Sequence, residues 1–430
     1  MGGDDVAAST HDIENPLETI ERRLKGLRPL SPLPCIHRVP DRFHRERERD
    51  YTPRVISIGP YHHGNEALKS MEDHKLRYVN CFLHRSHAKP EDYVQKIRKK
   101  EQKLRNYYSE TIVLNSNQFV TMVLVDAIFL LEFLLRSSND ILQDENDCIF
   151  GTPKMLPDVA NDLLMLENQL PLFILEVLLS LYNRESRGYA KRLYIKFLMS
   201  FSLMAGYKNE YLLRFQVKGQ HSVDLLRNLL LLTAPRSEER ENPTGETETA
   251  PTIERLHLSG VKFINGGESI TGLFDITFNK HGILKIPKLR TDDTTELILR
   301  NLIAFEQCSN SNDRIISDYV SLMDMLIDSP RDVELLVKHN IIENDLGGGD
   351  KDVANMINGL SAGIIYYQDF YYDSLCGKLN TYCSSRRHKW IAKLRSDYFH
   401  NPWSTISVVA AVVLLILTAI QTICAVYQLL

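Results

Sequence analysis

Apolar positions recur along most of this chain at intervals of three and four residues, the spacing of helices that bury one face. Leu68, Met71, Lys75, Tyr78, Val79 and Phe82 follow that spacing, and Asn65 stands where an N-cap belongs. Helical patterns continue over Tyr93 to Tyr108, Phe119 to Arg136, Val159 to Tyr182, Tyr189 to Leu203 and Val223 to Leu232. Asp293 to Glu296 reads as a capping box ahead of Leu297, Leu299, Leu302, Ile303 and Phe305. Ser329-Pro330-Arg331-Asp332 opens another helix, and Gly347-Gly348-Gly349-Asp350 precedes a third. The period shortens to two at Leu273 to Phe278 and Ile283 to Ile286, around Asn279-Lys280-His281-Gly282, which predicts a β-hairpin. The predicted fold class is mainly α: a multi-helix globular body with a small β-hairpin element and one C-terminal transmembrane helix.

Breaks in the pattern set the organisation. Residues 1–35 are polar, with Pro29, Pro32 and Pro34, and form a flexible N-terminal segment. An α-rich body follows over 36–400, opening on a turn-rich stretch of prolines and glycines through Gly64. Residues 236–251 (RSEERENPTGETETAP) lack apolar periodicity and read as a flexible insertion.

Residues 401–428 are the anchor. No formally charged side chain occurs from Tyr398 to Leu430, and Ile406 to Tyr427 is almost continuously apolar. About 22 helical residues span roughly 33 Å, enough for a hydrocarbon core of about 30 Å. Asn401 and Pro402 suit the N-cap and first turn, and Trp403 and Tyr427 fall at opposite headgroup layers. Arg386, Arg387, Lys389, Lys393 and Arg395 precede the span, while only Gln428, Leu429 and Leu430 follow its last aromatic. That asymmetry keeps the basic side cytosolic. The expectation is a single-pass membrane protein with a cytosolic N-terminal body, partnered with the lipid bilayer through Ile406 to Tyr427. Phe119 to Leu135 carries Asp126 and Glu132, and Leu163 to Tyr182 carries Glu167, Asn168, Gln169 and Pro171. Charge is costly at mid-bilayer, so both are core helices, the second divided at Pro171.

Composition adds exclusions. A chain of 430 residues with 43% hydrophobic content can bury a large core, and a formal charge of -4 argues against a dedicated nucleic-acid binder. Seven scattered cysteines without a CxxC pair read as reduced thiols; Cys376 and Cys383 lie close enough to the anchor to be acylation candidates.

Candidate chemistry is sparse. His62 and His63 have His37, His44, His74, His84 and His87 nearby in sequence, yet no Cys or carboxylate falls at a metal-site spacing. Adjacent His62 and His63 point to opposite sides of an extended chain. They read as structural or surface histidines, with no metal and no cofactor assigned. Glu167, Asn168 and Gln169 are either a polar active site or groups that satisfy the backbone where Pro171 breaks a helix. The second reading is preferred, because a buried polar side chain needs a partner. Glu306 and Gln307 have the same explanation. No catalytic residue is assigned: the Gly-x-Ser-x-Gly, Walker A, dinucleotide-glycine, HExxH and kinase patterns do not occur.

Several ordered motifs carry a resemblance. Ile36-His37-Arg38-Val39-Pro40, Ser57-Ile58-Gly59-Pro60-Tyr61-His62-His63-Gly64 and Met71-Glu72-Asp73-His74-Lys75 resemble the opening signature of the plant family called domain of unknown function 247. So do Leu164 to Pro171, Arg300-Asn301-Leu302-Ile303-Ala304-Phe305-Glu306-Gln307, and the Asn401-Pro402-Trp403 junction before the last helix. Where the family pattern has Val-Asp-Gly-Cys-Phe, this chain has Val125-Asp126-Ala127-Ile128-Phe129. The resemblance implies a plant membrane-associated protein of unassigned biochemistry, with some relatives implicated in grass self-incompatibility. A cytosol-facing recognition or signalling component with an unidentified protein partner is the expectation. A membrane-bound enzyme using the His62/His63 or Glu167 region is the alternative.

Overall fold

The computed structural model describes residues 16–25, 35–144, 146–182, 188–204, 217–232, 234, 249–266, 272–309, 313–365, 369–385 and 402–429. The N-terminal half contains α1 (Pro16–Lys25), α2 (Asp41–Arg47), α3 (Lys69–Arg85), α4 (Pro90–Arg98), α5 (Glu101–Arg105), α6 (Ser116–Ser138), α7 (Met155–Asp162), α8 (Leu172–Tyr182) and α9 (Tyr189–Leu198). Helix α6 is its axle, with α3, α4, α8 and α9 packed around it. An Asn115/Gln118 capping box starts α6, and Phe119, Val123, Phe129 and Phe133 are wholly buried. Its charges survive burial because each is paired. Asp126 meets Lys75 at 2.6 Å; Glu132 meets Arg85 and Arg136; Arg136 meets Asp147 at 2.5 Å. The reading of this run as a core helix is correct.

The C-terminal half contains α10 (Ser222–Leu231), α11 (Ile253–Leu258), α12 (Thr295–Cys308), α13 (Ile315–Leu326), α14 (Pro330–Lys338), α15 (Asp350–Leu360) and α16 (Asp373–Ser384). Helix α12 is packed by α10, α13 and α15, and α14 by α11 and α15. The predicted Ser329/Asp332 box forms, and Asp332 Oδ1 also accepts the Glu254 N–H at 2.7 Å, joining two helix N-termini through one carboxylate. Strands β1 (Lys262–Asn265), β2 (Thr277–Phe278) and β3 (Ile283–Ile286) form one sheet; β4 (Leu289–Thr291) and β5 (Ile342–Asn344) form another. The β2–β3 hairpin forms where predicted, with its first strand confined to Thr277–Phe278 of the expected Leu273 to Phe278. The parallel pairs β1–β3 and β4–β5 are additional. One buried hydrophobic cluster runs from Cys35 to Cys383.

Several expectations need correction. The N-terminal segment contains α1. The Tyr93 to Tyr108 pattern is two helices, α4 and α5, interrupted at Lys99 and Lys100. The box at Asp293 does not form; Asp292 Oδ1 accepts the Thr294 and Thr295 N–H groups instead, at 2.9 and 3.0 Å. Residues 163–171 are turns, so Pro171 ends a loop and does not divide a helix. Most of the 236–251 insertion lies outside the described residues, but its end is fixed: Pro251 is buried and Asn380 donates to the Thr249 carbonyl at 2.9 Å. Cys376 and Cys383 are buried, which removes them as acylation sites. The last helix, α17 (Pro402–Leu429), begins at the expected proline, while Asn401 and the Trp403 side chain lie outside the described residues. Six successive residues of α17, Val412 to Leu417, are each 48% to 70% exposed.

Candidate functional site

The family-like motifs converge on one structural problem. Residues 54–59 enter the core outside any helix or strand, and buried backbone groups must still be hydrogen-bonded. Side chains answer them almost in sequence. Asp162 accepts the N–H groups of Arg54, Val55 and Ile56 at 3.0, 2.7 and 2.8 Å. Asn168 Oδ1 accepts Ile58 N–H at 2.6 Å, and its amide donates to the carbonyls of Ile56 and Asp162, both at 2.9 Å. Asp126 Oδ2 accepts Gly59 N–H at 2.9 Å, and Lys75 Nζ donates to the Ser57 carbonyl at 2.9 Å. Burial opposes charge on Lys75, but Asp126 and Glu72 together raise its pKa and hold it as an ammonium. Gly59 has φ +78°, and a Cβ there would lie 2.5 Å from the Gln169 carbonyl oxygen.

The turn over 163–171 is tied down in the same way. Gln169 donates to the carbonyls of Leu163 and Met165 at 2.9 and 2.8 Å, and its Oε1 accepts from Ser222 at the start of α10. Asn301 accepts Leu166 N–H at 2.8 Å and donates to the carbonyls of Leu297 and Asp50. Glu306 pairs with Arg227 at 2.9 Å and accepts Ser317 N–H at 2.8 Å near the N-terminus of α13. The reading of Asn168, Gln169 and Glu306 as backbone-satisfying groups is correct.

Glu167 differs, because one guanidinium and two imidazoles gather on it. Its carboxylate, 2% exposed, accepts from Arg38 at 2.7 Å, from Val39 N–H at 2.8 Å and from His44 at 3.0 Å, with His62 Nε2 3.4 Å away. Burial alone would raise its pKa; His62, His44, the Val39 N–H and Arg38 outweigh that and lower it to about 2. Arg38 also meets Glu110 at 3.2 Å and lies over the Tyr61 ring at 4.4 Å. Glu167 is therefore a fixed anion whose partners all come from the 38–62 stretch, with Arg38 and His44 reaching solvent on one side.

The remaining motif positions disperse. His63 is exposed, His74 Nδ1 faces the Cys148 thiol at 3.2 Å, and Glu72 serves Lys75. Pro40 supplies the extended N-cap of α2, Pro60 follows the Gly59 turn, and Pro171 and Pro402 immediately precede or open helices. Among the described residues, no group of three His, Cys, Asp or Glu is placed to hold a metal ion. Sequence reasoning missed Asp162, although an acidic residue directly ahead of the apolar Leu163 to Leu166 carried a usable signal. It named His44 only as one of the histidines near His62 and did not pair it with Glu167.

Fold and site together define a helical scaffold whose polar motifs act as internal ties. The family profile described as "Plant protein of unknown function", domain of unknown function 247, matches residues 36–417, and the chain belongs to that family. It is 28% identical to the UPF0481 protein At3g47200 of Arabidopsis thaliana over 90% of this chain and 85% of that protein. It is 24% identical to the putative UPF0481 protein At3g02645 of the same plant, over 97% and 92% respectively. No solved structure matches the chain significantly.

Proposed function

We propose that the protein is a membrane-anchored, cytosol-facing recognition or signalling component that works by contact with another protein. The carrying observation is the exposed run Val412 to Leu417 in α17. At 100° per residue, six successive apolar side chains cover the full circumference of the helix, which suits lipid on all sides. The hydroxyls of Thr418 and Thr422 donate to carbonyls one turn back, both at 2.8 Å, as a lipid-facing hydroxyl must. The basic residues Arg386 to Arg395 favour a cytosolic body. In sealed plant microsomes, an N-terminal tag should be digested by added protease and the chain should resist carbonate extraction. A protected tag overturns the orientation, and extraction into the supernatant overturns the anchor. Proximity labelling should recover reproducible partners; recovery of chaperones and insertion machinery alone counts against recognition.

The convergence of His44, His62 and Arg38 on Glu167 favours a second reading, an enzyme using that region. The carboxylate there already accepts from Arg38, Val39 and His44, which takes three of its roughly four acceptor sites. Glu167→Gln decides between them: an enzyme loses turnover with its fold intact, whereas a tie loses stability.

A further inference from the structure

A cavity at the C-terminal end of α6 takes no part in the ties described above. It holds about 650 Å³, room for one small organic molecule. One wall is aromatic. Phe150 and Phe197 contact Phe133 at centroid distances of 5.7 and 5.5 Å, and Phe201 meets Phe197 edge-on at 5.4 Å.

The polar lining presents several acceptors beside the donors of Gln143, Lys196 and Ser202. Asn161 Oδ1 is buried, and among the described residues no group donates to it. Ser137 Oγ and Ser200 Oγ donate to the carbonyls of Phe133 and Phe197 at 2.8 and 2.7 Å, so lone pairs are what they offer an occupant. Burial opposes ionisation of Asp292, but Ser202, Thr294 and Thr295 hold its pKa below the usual carboxylate value. Asp140 adds a second carboxylate, and Lys196 donates to the Ser138 carbonyl at 3.2 Å. A buried acceptor is relieved by a ligand that donates, and aromatic faces favour cations over anions.

We propose that this cavity binds a small ring-bearing amine, its ring against Phe150, Phe197 and Phe201 and its donors on Asn161 Oδ1 and the serine oxygens. An occupant of this class would give the body a chemical input separate from the proposed membrane and protein contacts.

The test is titration calorimetry on the full chain in detergent. The probe is tyramine, and the comparator is 3-(4-hydroxyphenyl)propionate, which carries the same ring and a carboxylate. Tyramine should bind saturably with millimolar affinity, at least about tenfold tighter than the comparator. Asn161→Leu should weaken tyramine, and Ser200→Trp at the exposed lip should abolish its binding. If Ser200→Trp lowers the melting temperature, Asp140→Arg at another exposed lip position supplies the block. Absent saturable binding, equal binding of the carboxylate, or unchanged affinity in a folded lip variant each overturns the proposal.

Discussion

Gly59 and Lys75 show how little freedom the motif positions have. The left-handed φ of Gly59 and the 2.5 Å approach to the Gln169 carbonyl leave no room for a methyl group. Gly59→Ala should destabilise the body by about 2–3 kcal/mol, read as a lower urea midpoint with an unchanged slope. Lys75→Met strands Asp126 as an uncompensated buried charge and should cost about 3–5 kcal/mol. A loss within about 0.5 kcal/mol would mean that Asp126 does not depend on its pair. Glu167 has a folded pKa of about 2, below that of an unfolded glutamate. Its stabilising contribution is complete above about pH 4.5 and is lost as pH falls toward 2, a loss that Glu167→Gln should abolish in acid titrations. The motif letters were legible, but their partners were not. Asp126, Glu167 and Asn168 are acceptors for groups 67 to 129 positions away, and no local pattern encodes that distance.

Helix ends and turns were legible where chemistry is local. Ser329 and Asp332 announced their cap because donor and acceptor lie within three residues, while Asn65 caps the 3-10 turn Glu66–Leu68 that leads into α3 and not α3 itself. Strands β1, β4 and β5 were invisible because they pair in parallel, without the local turn that marked β2 and β3. His221, the N-cap of α10, illustrates a cap with a pH dependence. Burial lowers its pKa to about 4, with Nδ1 accepting Asp224 N–H and Nε2 facing the Cys35 carbonyl. Between pH 6.5 and 4 the unfolded histidine takes a proton that the folded one refuses, so stability from this group falls as pH falls. Asp162 has the opposite slope: burial raises its pKa to about 6 against three backbone N–H bonds, so its contribution falls as pH rises from 4 to 6. In this window the two slopes oppose each other. Relative to the wild-type profile, His221→Asn should therefore tilt the urea midpoint downward from pH 4 to 6; parallel profiles would show that His221 is not shifted.

For the whole molecule, α6 and α17 pose the same question with opposite answers. Both are long and apolar, yet α6 is enclosed by other helices and α17 presents its residues outward. Composition alone does not separate them; the charged residues Asp126, Glu132 and Arg136, each matched by a partner inside the body, do. Substituting Phe129→Lys should unfold the body. On the proposed anchoring, Leu415→Lys should leave its melting temperature unchanged while raising the fraction of protein in the supernatant over the membrane pellet, because a central lysine costs about 2.5–3.5 kcal/mol of insertion. Equal damage to the fold by both would show that α17 belongs to the core.

The contacts of Asp162 with Arg54, Val55 and Ile56 also impose an order on synthesis. The carboxylate that must receive those N–H groups is made 106 to 108 residues after them. At about 5–20 residues per second, the ribosome takes roughly 5–20 s to deliver it. During that interval Ile56 and Ile58 have no completed core to enter, so a nascent chain stalled before residue 162 should be held by chaperones. Release should follow only once the turn ending at Pro171 has emerged.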